Sequence, residues 1–125
     1  MAKPGNTGIR RIFLATRYSA LGITAAWRNE AAFRQELLLV IVLLPVAIWL
    51  GQTGLERAVL VACLFIVLIV ELVNSALEAA IDRHGDELHE LSGRAKDMGS
   101  AAVLMSLLLL AVVWGLIAAQ RFLGN

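Results

Sequence analysis

The stretch AVLVACLFIVLIVELVNSALEAAI, Ala58 to Ile81, is apolar enough to cross a bilayer, yet it carries Glu71 and Glu78, with Asn74 and Ser75 between them and Asp82 just beyond. On a helix, residues three, four, seven and eleven apart share a stripe. Glu71, Asn74, Ser75, Glu78 and Asp82 therefore fall on one face, while Ile66, Val70, Leu72 and Val73 cover the rest. Each ionisable group at bilayer depth costs roughly 3 kcal/mol or more and persists where it faces protein or a wet cavity. A purely structural carboxylate is the competing reading. Two carboxylates and two further polar groups on one stripe favour a functional site.

Composition sets the surroundings. Hydrophobic residues make up 59% of the 125 positions and charged residues only 17%, in long apolar blocks that no soluble domain of this size carries. The chain reads as an all-α membrane protein, one domain over 1–125, with spans at about 31–50, 58–81 and 100–119. At ~1.5 Å rise per residue each span can cross a ~30 Å hydrocarbon layer once flanking residues complete it. The segment Met1 to Thr7 is polar and contains Gly and Pro, so no cleavable signal peptide is expected and the spans themselves direct insertion. A net charge of +1 gives a nucleic-acid role no support. Cys63 lies among aliphatic residues with no Cys or His cluster around it and reads as a small core residue.

Lys3, Arg10, Arg11, Arg17, Arg28 and Arg34 precede the first span, whereas the connector Gly51 to Arg57 offers only Arg57 and the tail only Arg121. By the positive-inside rule the N-terminus and the second connector, Asp82 to Gly99, are cytoplasmic and the C-terminus lies outside. Trp49 and Trp114, near the outer ends of their spans, suit an interfacial belt or simple packing, and Pro45 is expected to bend the first span. In Gly8 to Arg28, Ile9, Ile12, Phe13, Leu21, Ile23 and Trp27 are interspersed with four arginines, which predicts an amphipathic helix on the cytoplasmic leaflet, with Gly22 a possible break. Such a helix serves as a lipid-held anchor or shares in substrate binding.

The second connector concentrates charge from Asp82 to Asp97. Most such loops are solvated, but this one joins the polar stripe directly, so an anion held by Arg94 and Lys96 would lie at its mouth. His84 and His89, five apart, fit no usual zinc spacing and read as surface residues. Glu30 and Arg34 form an i,i+4 pair that is either a local ion pair or part of the site. With antiparallel helices Glu30 lies level with Glu78, and Mg²⁺ characteristically takes one or two carboxylates plus substrate phosphates. There is no G-x-x-x-x-G-K-[ST] loop and no set of soluble protein-kinase motifs. The residues by themselves lead to a polyanion, with divalent metal, meeting a membrane-embedded carboxylate.

The strings Glu71-Leu72-Val73-Asn74-Ser75-Ala76-Leu77-Glu78-Ala79-Ala80-Ile81-Asp82 and Glu90-Leu91-Ser92-Gly93-Arg94-Ala95-Lys96-Asp97-Met98-Gly99-Ser100-Ala101-Ala102, with Asn29-Glu30-Ala31-Ala32-Phe33-Arg34-Gln35-Glu36, closely resemble the signatures of the small bacterial membrane diacylglycerol kinases. The resemblance extends from Arg11 to the third span. It implies an ATP-dependent lipid kinase of the bacterial inner membrane, converting diacylglycerol to phosphatidic acid. Glu71 would be the general base and Asn74 its polar neighbour, while Glu30 and Glu78 would hold Mg²⁺ on ATP. Arg11, Tyr18, Glu87, His89, Lys96 and Asp97 would complete the nucleotide site. The lipid would meet Arg11, Ser19, Arg34, Gln35, Glu36, Trp49, Arg57, Glu71, Ser100 and Trp114.

Three spans are few to enclose lipid, nucleotide and metal. Ala76, Ala79, Ala80, Gly99, Ala101, Ala102 and Ser106 offer small surfaces for close helix packing, and the resemblance implies a homotrimer with shared sites. Three rivals remain: a relative that phosphorylates undecaprenol, a proton-coupled transporter using Glu71 without ATP, and an assembly factor using the stripe as helix glue.

Overall fold

A computed structural model describes residues 7–83 and 89–124 as four α-helices: α1 (Gly8–Asn29), α2 (Ala31–Leu50), α3 (Gly54–Asp82) and α4 (Glu90–Leu123). The last three are each long and apolar enough to cross a membrane. Packing is antiparallel, with α3 against both α2 and α4. One core cluster gathers Val40 of α2, Cys63, Leu64 and Val67 of α3 and Leu110 of α4. A second joins Ala47 and Leu50 to Leu60, flanked by Trp114 and Ile117. Cys63 is thus the small core residue its surroundings suggested. Lipid tails are as apolar as leucine, so close packing around the fully buried Leu60, Leu64 and Val67 stabilises the helix pairs mainly through dispersion.

Helix boundaries follow local chemistry. Glu30 alone separates α1 from α2. Its backbone is extended (φ −119, ψ 107), its N–H still reaches the carbonyl of Ala26, and its own carbonyl accepts the Arg34 N–H at 3.2 Å. Gly51 closes α2 in a turn so tight that a Cβ there would meet Arg57 Cγ at 2.6 Å and Arg57 N at 2.9 Å. Thr53 caps α3 by accepting the Glu56 N–H at 3.1 Å, and its hydroxyl donates to the Glu56 carboxylate at 3.2 Å.

Two expectations change. The connector expected to run from Asp82 to Gly99 is helical from Glu90, because His89 Nδ1 accepts the Leu91 N–H at 3.0 Å and Glu90 places acid in the first turn. Lys96, Asp97 and Gly99 consequently sit on α4. Nor does Gly22 break α1, which runs through it. The Pro45 expected to bend the first span lies inside α2.

Candidate functional site

The stripe on α3 is turned inward. Glu71, Asn74 and Ser75 are all buried, with Glu71 only 4% exposed. Ser75 Oγ donates to Glu71 Oε1 at 3.4 Å, and Asn74 Nδ2 donates to Glu78 Oε1 at 3.2 Å. Each bond spans one helical turn, so the stripe is braced along its own length. Asn74 Oδ1 is buried with no hydrogen-bond partner among the described residues.

Neighbouring elements bring further groups to this face. From α2, Glu36 lies within electrostatic range of Glu71, with its buried Oε2 unpartnered among the described residues. Glu30 at the hinge and Glu78 one turn past Asn74 also lie within range of Glu71. Four carboxylates from two sequence regions therefore share one neighbourhood. From α4, Lys96 Nζ pairs with Asp82 Oδ1 at 2.9 Å. Lys96 precedes the apolar part of α4, and this hydrogen bond and the Asp82 charge hold its ammonium above the ordinary lysine value. Between α1 and α3 runs a groove of about 730 Å³. Gly22, Ala26, Ala76 and Ala79 give it an apolar lining, and Ser19, Asn29, Glu30 and Ser75 add polar groups.

Other expected site residues lie nearby but have partners of their own. Arg34 does not pair with Glu30; its Nη1 donates to the carbonyls of Trp27 at 2.8 Å and Arg28 at 3.3 Å. These last carbonyls of α1 have no helical partner, and the guanidinium of α2 ties the two helices across the hinge. Ser19 Oγ donates to Ala15 O within α1 at 2.9 Å, and His89 caps α4. Arg94 makes an exposed i,i+4 pair with Glu90 at 3.7 Å. Arg11, Tyr18, Gln35, Asp97 and Ser100 are exposed. Glu87 and His84 lie outside the described residues.

Trp49, Arg57 and Trp114 belong to the opposite end. Arg57 is fourteen residues from Glu71 on α3, ~21 Å along the axis, and its Nε donates to Ile48 O at 2.9 Å. Trp114 Nε1 donates to Leu60 O at 3.2 Å. Arg121 stacks 4.9 Å from the Trp49 ring centroid and donates to the carbonyls of Trp49 and Leu50. Sequence reasoning missed the contacts of Arg57 and Trp114, and also Lys96 to Asp82, Arg34 to the end of α1, Arg121 to the end of α2, and the approach of Gly99 to Asn74. Only the last left a trace, as one of several small residues on α4.

The arrangement offers a buried carboxylate beside an apolar groove, further carboxylates toward one end, and a cation at that end. Comparison with known proteins narrows it. Residues 17–118 match the family of prokaryotic diacylglycerol kinase. The diacylglycerol kinase of Escherichia coli is 48% identical over 116 residues, covering 93% of this chain and 95% of that one. That of Pseudomonas aeruginosa is 52% identical over 113 residues, covering 90% and 92%. That of Helicobacter pylori is 40% identical over 112 residues, covering 90% and 88%. With most of its length matched at such identity, and with three helices able to span a bilayer, the chain is a membrane protein of the prokaryotic diacylglycerol kinase family.

Proposed function

We propose that the protein transfers the γ-phosphoryl group of MgATP to the primary hydroxyl of 1,2-diacylglycerol, giving phosphatidic acid. The observation that carries this reading is Glu71, a buried carboxylate on α3, with the α1–α3 groove beside it and Lys96 toward the polar end. Diacylglycerol enters sideways from the bilayer, its chains along the small-residue lining and its hydroxyl toward Glu71. Glu71 takes the hydroxyl proton as that oxygen bonds to the γ-phosphorus. The bond from that phosphorus to the bridging oxygen breaks, and ADP leaves. Such a transfer asks the protein mainly for alignment, charge neutralisation and a base.

Asn74 holds Glu78 in place through its amide. Lys96, in an exposed pair with Asp82 that contributes little, is available to a nucleotide phosphate. Glu30 and Glu78 are the residues that would hold Mg²⁺. Among the described residues no three His, Cys, Asp or Glu side chains form a metal cage, and two carboxylates suit an ion that keeps nucleotide phosphates and water as its other ligands. When bound, the ion neutralises and orients the phosphates. Arg11, Tyr18, Glu87, His89 and Asp97 bound the nucleotide, while Ser19, Gln35, Glu36 and Ser100 face the lipid; Trp49, Arg57 and Trp114 meet lipid chains toward the outer leaflet.

The basic N-terminal third supports a position for α1 on the cytoplasmic leaflet of the bacterial inner membrane, with the C-terminus outside. Large side chains exposed on the bundle, such as Phe65, Ile69, Met105 and Val112, face lipid or neighbouring subunits of a homotrimer whose sites are shared. The deciding experiment offers labelled ATP and a panel of lipid alcohols in mixed micelles. Phosphate on diacylglycerol is the expected result. Strong transfer to undecaprenol with none to diacylglycerol would move the assignment, and no transfer to either would end the kinase reading.

A further inference from the structure

We propose that Gly99 is a positioning residue for Asn74, its missing side chain leaving the space in which the Asn74 amide lies between α3 and α4. The catalytic consequence rests on the function proposed above; the contact itself does not. A Cβ built on Gly99 would collide with Asn74 Oδ1, and would stand 3.3 Å from Asn74 Cγ and 3.2 Å from Leu77 Cδ2. Conformational freedom is not the reason for glycine here, because among the described glycines only Gly8 has positive φ. Close approach of backbone to side chain is. Gly93 and Gly115, on the same helix, have nothing within 4 Å of a built Cβ, so the crowding is local to the level of Asn74.

The amide is held there by shape. Asn74 is 9% exposed, and its Oδ1 finds no hydrogen-bond partner among the described residues. The oxygen rests against the Gly99 backbone, which leaves Nδ2 aimed at Glu78 Oε1, 3.2 Å away. Turning the amide out of the seam would break that bond and release Glu78. Gly99 thus acts on a proposed metal-holding carboxylate without touching any reacting atom, through Asn74.

The test uses the full-length protein in detergent or bicelles, with Gly99→Ala made alone, with Asn74→Ser and with Leu77→Ala. Gly99→Ala should lower the thermal midpoint in the parent, and lower it much less in the Asn74→Ser background, where the amide is gone. Turnover should fall about 10- to 100-fold, as for lost partners of a metal ligand. The Mg²⁺ concentration for half-maximal rate should rise while KM for diacylglycerol holds, and Leu77→Ala should not rescue the rate. An equal midpoint loss in both backgrounds would make Gly99 a general packing residue and overturn the proposal. So would unchanged turnover of Gly99→Ala, or rescue by Leu77→Ala. If Gly99→Ala does not fold, the double variant with Asn74→Ser should, and failure of both overturns the idea as well. Were the protein inactive on every lipid alcohol, the functional reading would fall while the midpoint comparison still decided the contact.

Discussion

The two ends of the helical bundle solve opposite problems. At the end near Trp49, Arg57 and Arg121 direct their guanidinium groups to carbonyls at the close of α2, Trp114 reaches Leu60 O, and Thr53 caps α3. At the other, Glu36 Oε2 and Asn74 Oδ1 are buried without partners among the described residues, and the α1–α3 groove, lined by Glu30 and Ser75, opens on the same stretch of α3. A buried polar atom left unpaired costs about 1–3 kcal/mol. Helix ends satisfied internally make a frame, whereas the other end keeps buried polar groups that the frame does not satisfy. The contrast separates what holds the fold from the site proposed above.

Substitutions at the two ends should therefore differ in kind. The largest effect on rate is expected from Glu71→Gln, which should cut turnover about 10²-fold or more while leaving MgATP affinity nearly intact, since general base catalysis contributes roughly 10²–10⁴-fold. Lost nucleotide binding in that variant would instead make Glu71 a metal-holding or structural group. Next come Glu30→Gln and Glu78→Gln. Each should raise the Mg²⁺ or MgATP requirement, and the double change should cost less than the sum if one ion couples them. Additive losses would separate the two carboxylates. Mixing inactive Glu30→Gln and Glu71→Gln subunits should restore activity if sites are shared between chains, whereas mixtures that stay inactive despite subunit exchange would place the whole site in one chain.

The polar end was also where sequence legibility was most uneven. The α3 stripe could be read because helical periodicity fixes which residues share a face whatever surrounds them. The hinge at Glu30 could not: no Gly or Pro marks it, and an extended backbone at one glutamate depends on how α1 packs. The first turns of α4 read as loop in the sequence because hydropathy reports only the part of a helix that crosses lipid, and the cap at His89 is a matter of ring orientation. Arg34 had an obvious partner four residues away in Glu30. The structure gives it the end of α1 instead, because carbonyls with no helical partner compete well against a weak surface ion pair. Glu36 was placed by family likeness alone, since in sequence it is one more charge ahead of an apolar run.

Arg34 offers a smaller test of the same contrast. Arg34→Met removes the tie across the hinge, so Glu30 should lose its fixed place and the Mg²⁺ requirement should rise several-fold. Arg34→Lys, still able to donate to α1's last carbonyls, should recover part of the loss. Equal defects in both variants would favour direct contact between the guanidinium and substrate over a hinge tie.

The smallest effect on rate is expected at the closed end. Arg121→Met removes the donor to the carbonyls of Trp49 and Leu50 and the cation over the Trp49 ring. Hydrogen bonds to a charged group contribute roughly 1.5–3 kcal/mol and a cation over an aromatic ring about 0.5–1 kcal/mol at an exposed site, part of which methionine recovers by packing its own chain over the ring. The variant should therefore melt several degrees lower, while turnover and the Mg²⁺ requirement measured well below that temperature stay within about twofold of the parent, the span expected of a change ~20 Å or more along the bundle from Glu71. The midpoint and the rate then move independently, as a frame separate from its site requires. A large fall in turnover without a lower melting point would mean that the end of α2 is coupled to the carboxylates, and that the two ends are one machine.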